Sequence, residues 1–147
     1  MRAVVTRVKE AKVEIEGKTN GAIGKGYLVL LGIAPTDTKK EAEWLADRII
    51  GCRVFEDETG KMNLSISQVE GELLVVSQFT LYADLKSRRP GFTGAAKPDI
   101  AKPLYEYFMD ILREKGFSVA HGEFGEDMQV YSVNDGPVTL VWDSETK

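Results

Sequence analysis

Two short segments place polar, chemically useful side chains inside runs that otherwise favour burial. The first is Ser77-Gln78-Phe79-Thr80-Leu81-Tyr82. On an extended strand Ser77, Phe79 and Leu81 share one face, and Gln78, Thr80 and Tyr82 share the other. If the strand bends or ends near Phe79, hydroxyls and freed backbone N–H groups converge on one bound oxygen. The commoner use of Ser77 and Thr80 in such a run is cross-strand hydrogen bonding within an ordinary sheet. The second segment is Asn134-Asp135-Gly136-Pro137-Val138-Thr139. Gly-Pro after Asn-Asp ordinarily makes a turn. A glycine also lets bare backbone approach a ligand and a proline fixes φ, so the pair can form a rigid wall of carbonyls that discriminates by shape.

The more familiar catalytic constellations are largely excluded by residue counts. His121 is the sole histidine, so a Ser–His–Asp triad or a two-histidine metal site would have to use it. An isolated histidine in Val119-Ala120-His121-Gly122 is more often a satisfied structural group. Cys52 is the only cysteine, which rules out an intrachain disulfide and a cysteine-based metal cluster. It reads as a small buried hydrophobe rather than a nucleophile. Gly24-Lys25-Gly26 lacks the spacing of a P-loop or dinucleotide fingerprint. Carboxylates are plentiful, but their spacing singles out no acid/base pair.

The elements that must position these segments follow from periodicity. Ala3-Val4-Val5 with Val8, then Val13 and Ile15, read as strand, and the apolar run Tyr27 to Ile33 as a buried central strand. Thr38 to Glu41 is a capping-box pattern. Ala42, Leu45, Ala46, Ile49 and Ile50 follow it at helical spacing, with Gly51 as the stop. Residues 73–82 are too rich in β-branched and aromatic side chains to favour helix and read as strand. A polar loop over 83–97 leads to a second helix carrying Ala101, Leu104, Tyr105, Phe108, Ile111 and Leu112, ended by Gly116, with Pro98 and Pro103 limiting where it starts. Residues 117–120, 128–133 and 138–142 supply two or three closing strands. The sum is a single α+β domain over residues 1–147, with a mixed or antiparallel, partly barrel-like sheet and two main helices.

At 147 residues the chain can bury roughly 68–70% of its unfolded surface and needs no staples. A hydrophobic share of 43% against 29% charged excludes disorder. No stretch approaches the roughly 20 apolar residues of a membrane span, and charges punctuate the N-terminal segment, so a cytoplasmic protein without a signal peptide is expected. The net charge of −4 argues against coating nucleic acid by bulk electrostatics. Distribution matters more: Lys86, Arg88, Arg89, Lys97 and Lys102 face only Asp99 within 85–103, whereas 121–147 carries six acids and Lys147. Such clusters usually just solvate a surface; here one face can also attract phosphate while another repels it.

At the two chemical segments the sequence closely resembles the D-aminoacyl-tRNA deacylase family, whose signatures are a Ser-Gln-Phe-Thr-Leu strand and an Asn-x-Gly-Pro-Val-Thr segment. Both are complete here, as Ser77 to Leu81 and Asn134 to Thr139. The opening MRAVVTRVKEAKVEIEG, Arg89-Pro90-Gly91-Phe92 and the Leu-Tyr-x-x-Phe of Leu104 to Phe108 extend the likeness over essentially the whole chain. Ser87 and Arg88 depart from the family's Gly-containing turn, and Asp135 fills the variable site.

The resemblance implies hydrolysis of the ester joining a D-amino acid to the 3′-terminal adenosine of tRNA, with no metal and no cofactor. Ser77, Gln78, Phe79 and Thr80 would line the pocket for the adenosine and the ester, with Thr80 and Ser77 as the catalytic pair. Gly136 and Pro137 would form a Gly-cis-Pro element contributed by the partner of a homodimer and set beside the substrate's α-carbon. That wall leaves room for hydrogen but not for an L side chain, so glycine on alanine tRNA also passes: chiral proofreading in translation. Lys86, Arg88 and Arg89 would contact tRNA phosphates.

Two mechanisms compete. Thr80 attacks and forms an acyl-enzyme, or water attacks while Thr80 and backbone N–H groups hold the oxyanion and the RNA 2′-hydroxyl assists. The second is preferred, since no base is evident to activate Thr80, and a 2′-hydroxyl requirement selects RNA over DNA. The rival readings are a non-catalytic nucleic-acid-binding module that stacks bases on Phe79 and Tyr82, and a small-molecule esterase.

Overall fold

In the computed structural model, which describes residues 1–147, strand β1 (Arg2–Ile15) is the spine. Its first half pairs antiparallel with β3 (Gly26–Gly32) on one edge and with β8 (Gln129–Asp143) on the other. Its second half exchanges β3 for β2 (Lys18–Ile23). Beyond β3 lie β6 (Glu72–Ser77) and then β7 (Val119–His121), both parallel additions. The order β2-β1-β3-β6-β7 curls until its ends meet, where Asn20 Nδ2 donates to the His121 carbonyl at 2.7 Å. A β-carbon on Gly21 would stand 2.8 Å from that carbonyl oxygen, so glycine permits the closure.

The curl creates two cores. Inside it pack Val8, Ala11, Val13, Ile23, Leu28, Leu74 and Val76. Outside it, Ala3, Val5, Tyr27, Val29, Leu31, Leu73 and Val75 pack against α1 (Lys39–Gly51) and α2 (Pro98–Glu114). Buried on both faces, β3 and β6 read as continuous apolar runs rather than alternating ones. The capping box forms as expected: Thr38 accepts from a first-turn amide, and the Glu41 side chain returns to the Thr38 backbone. Pro98 opens α2 in its first turn, where a missing N–H breaks no helix bond. The expected α+β architecture, mixed sheet and two helices are therefore present.

Three features differ from the sequence reading. Strand β6 ends at Ser77, and Phe79–Tyr82 is a single turn of 3₁₀ helix rather than strand. The reason is non-local. Gln78 N–H makes the last ladder bond, to the Leu31 carbonyl at 2.8 Å, and the next carbonyl along, Ile33, is taken by the Ala96 amide instead. Secondly, Asn134 to Pro137 does not turn the chain back, because β8 runs straight through it. Thr6 pairs with Thr139 and Val8 with Asn134, so Arg7 alone opposes four residues of β8 and the excess bulges out. Thirdly, β2 and a hairpin of β4 (Phe55–Glu56) with β5 (Met62–Leu64) were not anticipated. Their residues are too polar and their strands too short to show a period.

Candidate active site

The strand-to-turn junction brings Ser77, Gln78, Phe79 and Thr80 together at the end of the sheet. The turn's first internal bond runs from the Leu81 amide to the Gln78 carbonyl. The Phe79 and Thr80 amides precede that bond and have no partner inside the turn, as the opening amides of any helix do. Gln78 Nε2 donates to Thr80 Oγ1. A hydroxyl oxygen that already accepts from an amide carries its own hydrogen outward, as a donor, and an amide N–H cannot take that proton away.

Ser77, Gln78 and Phe79 line one wall of a cavity of about 760 Å³. Phe92, Lys97 and the 124–128 segment, including Phe124, Glu126 and Asp127, form much of the remainder. Phe79 and Phe92 meet edge to face, with centroids 5.3 Å apart and rings at 78°. They stay 54% and 43% exposed, a large aromatic surface to leave in water unless something covers it. Nearby, burial pushes the Tyr82 phenol well above its ordinary value, away from the range in which a base works. Tyr82 is thus no activator for Thr80.

Gly136 and Pro137 line no part of this cavity. They sit in the β8 bulge, joined by a cis peptide bond, and both are exposed. Arg7, only 4% exposed, holds the bulge from inside. Its Nε donates to the Asp135 carbonyl at 3.0 Å and Nη1 to the Val54 carbonyl at 2.6 Å, while the Asp135 carboxylate lies 3.7 Å away. Asn134 closes the neck, its Oδ1 accepting from the Val138 amide at 3.0 Å and its Nδ2 donating to Thr139 Oγ1 at 3.2 Å.

The basic loop is pinned as a small hairpin by paired bonds between Asp84 and Gly91. Lys86, Arg88 and Arg89 project from its tip, exposed and outside every ion pair of the structure. His121 and Cys52 lie elsewhere. The His121 ring touches the Gly122 carbonyl at 2.6 Å within β7. Cys52 borders a separate groove beside Trp44 and Trp142, and burial raises its thiol, which opposes thiolate formation.

A model of the D-Tyr-tRNA(Tyr) deacylase family matches residues 4–143, across both chemical segments. The chain belongs to that family. Its curated relatives include a D-aminoacyl-tRNA deacylase of Thermotoga petrophila, 58% identical over 98% of this chain and 97% of that one. The Thermus aquaticus protein of the same name is 57% identical over 100% and 97%.

Among solved structures, a c-Myc DNA Unwinding Element Binding Protein is 43% identical with a TM-score of 0.93, covering 98% of this chain and 99% of that one. A probable eukaryotic D-amino acid tRNA deacylase shares the fold, with a TM-score of 0.82 at 17% identity over 96% of this chain and 97% of that one. The deacylases are hydrolases acting on an ester bond, and the chain carries both of their signatures intact.

Within this deacylase scaffold the sequence reading missed Arg7, Phe92 as the ring partner of Phe79, and Phe124. Arg7 interrupts the apolar residues of β1, which is the one signal that could have marked it as a buried charge with a task. Arg7→Met removes the donor from two carbonyls, and that of Val54, left buried and unpaired, costs about 1–3 kcal/mol. Urea denaturation should therefore show a loss of at least that size. An unchanged midpoint would mean that Arg7 does not hold the bulge.

Proposed function

We propose that the chain hydrolyses the ester linking a D-amino acid to the 3′-terminal adenosine of tRNA, releasing free D-amino acid and tRNA in the cytoplasm. Glycine misattached to alanine tRNA is a second substrate, and L-aminoacyl-tRNA is rejected by shape. The observation that carries the reading is the layout of the two signatures. Ser77, Gln78 and Phe79 form a wall of the cavity, with Thr80 exposed as the next residue of the chain, whereas Gly136 and Pro137 of the same chain line none of it.

That separation supports a site completed by a second copy. β8 pairs with β1 alone, which leaves its other edge free, and it exposes Val130, Tyr131, Val133 and Val141 at 40–65%. Free edges and apolar rows of this kind are what folded chains usually cover. In the homodimer, Gly136 and Pro137 of one copy face the cavity of the other beside the α-carbon of the ester. Main chain suits the task because a side chain can swing aside. Hydrogen fits against the wall and an L side chain does not, so glycine passes with the D forms.

Ser77, Gln78 and Phe79 hold the terminal adenosine, with the Phe79 and Phe92 rings offering a stacking surface for the base. Thr80 donates to the oxygen on which charge develops as water attacks the ester carbonyl, and the Phe79 and Thr80 amides add to it. The terminal 2′-hydroxyl assists proton transfer, which restricts the enzyme to RNA. Direct attack by Thr80 is disfavoured, since Gln78 donates to its oxygen and no neighbouring group is fitted to remove its proton. The Lys86, Arg88 and Arg89 hairpin reaches the phosphates of the acceptor end.

In single-turnover release from D-tyrosyl-tRNA, Thr80→Ala should react about 10²–10³ times more slowly, the usual loss for one oxyanion donor. A wild-type rate in Thr80→Ala would contradict the mechanism, whereas a non-catalytic binding module predicts no release even from the wild-type protein. Reversing Arg88 and Arg89 to Glu should weaken tRNA binding and flatten its dependence on salt by roughly one unit of slope per lost contact. Unchanged slope and affinity would remove the hairpin from the interface.

A further inference from the structure

The turn that carries Thr80 is short, and a single 3₁₀ turn has too few internal bonds to hold its own orientation. It is gripped from outside the cavity by one side chain that neither signature contains. Arg2 Nη1 donates to the Leu81 carbonyl at 2.6 Å. Its Nε and Nη2 both donate to Asp143 Oδ2, at 3.0 and 2.8 Å. The guanidinium carbon sits 4.6 Å from the centre of the Tyr82 ring. Three independent contacts therefore fix the guanidinium, and two of them end on the turn.

Strand pairing accounts for the geometry. The Arg2 Cα is paired with Gly32 on β3 and with Asp143 on β8. On the β3 side there is no side chain at all. A β-carbon on Gly32 would stand 3.0 Å from Leu81 Cβ, 3.1 Å from the Gln78 carbonyl oxygen and 3.2 Å from Tyr82 Cδ2. The turn thus lies flat on bare backbone at the end of β3, and Arg2, one strand over, ties its carbonyl down. Lysine could not replace this grip: a point charge with three donors cannot meet the carboxylate in a fork and reach the carbonyl at once.

We propose that Arg2 is a positioning residue for the deacylase reaction. Through the Leu81 carbonyl and the Tyr82 ring it sets the angle at which the preceding residue, Thr80, presents its hydroxyl, and Asp143 orients Arg2. The inference rests on the reading of Thr80 as the oxyanion donor. It requires that losing Arg2 act on the chemical step, because a donor displaced by about 1 Å can cost up to about 10²-fold in rate while binding is kept.

The test is a mutant cycle on D-tyrosyl-tRNA, with kcat and KM measured for wild type, Arg2→Met, Arg2→Lys, Asp143→Asn, Thr80→Ala and Arg2→Met/Thr80→Ala. Arg2→Met should lower kcat at least about tenfold and leave KM within about twofold. Arg2→Lys should not rescue it. In the Thr80→Ala background Arg2→Met should have no further effect on kcat, whereas a merely structural role gives multiplicative losses.

Should Arg2→Met fail to fold, Asp143→Asn carries the same cycle, since it frees the guanidinium without removing it. Slow Thr80→Ala with a wild-type kcat in the Arg2 and Asp143 variants, or with multiplicative losses, overturns the positioning role alone. A fully active Thr80→Ala overturns the Thr80 reading and the Arg2 inference with it.

Discussion

The bond from the Gln78 amide to the Leu31 carbonyl is the last rung of the parallel β3–β6 ladder, and the proposed oxyanion donors begin one residue beyond it. Up to that rung the chain is held by both cores. Leu73, Leu74, Val75 and Val76 are all buried, and the Tyr105 hydroxyl adds a bond of 2.8 Å to the Val75 carbonyl from α2. Past it, nothing in the ladder is left to satisfy the next amides. The site therefore combines a rigid foundation with unpaired donors, the two properties an oxyanion site needs. A reactive turn placed within the ladder would have lost its free amides, and one placed further out on a loop would have lost its precision.

The same logic extends along β1, the strand from which both signatures are positioned. Arg2 reaches the turn after β6, and Arg7 reaches the bulge in β8, so two arginines of one strand hold the two halves of the proposed site. Burying Arg7 is costly in itself. The cost is offset because its guanidinium donates to two carbonyls, that of Val54 buried, and lies 3.7 Å from the half-buried Asp135 carboxylate. The proposed composite site then follows from topology. A bulge on a free edge projects away from its own chain's cavity and is available to another's.

What the sequence revealed and what it hid divide along local and non-local causes. Helix α1 was readable because Thr38, Glu41 and the spacing of Leu45 and Ile49 act within a few residues of one another. The double-sided burial of β3 and β6 was readable as uninterrupted apolar runs. The end of β6 was not, because Phe79 to Tyr82 keep strand-like composition. What stops the strand is the neighbouring chain: Gly32 without a side chain, and Ile33 bonded to Ala96. At Asn134 to Pro137 local turn chemistry pointed the wrong way, since β1 pairs with β8 on both sides of the bulge and keeps it in line. Ser77, Gln78 and Phe79 of the signature line the cavity and Thr80 does not, while Arg2 and Arg7 were only charges on a strand until their partners, 47 to 141 residues away, came into view.

Because the proposed discrimination is stereochemical, the decisive measurement is release of amino acid from D-tyrosyl-tRNA and L-tyrosyl-tRNA by the same preparation of wild-type protein, followed side by side in single turnover. Release should be rapid from the D form, with the L form staying at the rate of spontaneous hydrolysis. Comparable release from both would contradict shape-based exclusion at the α-carbon, and release from neither would contradict the assignment of the Ser77–Thr80 junction as a deacylase site.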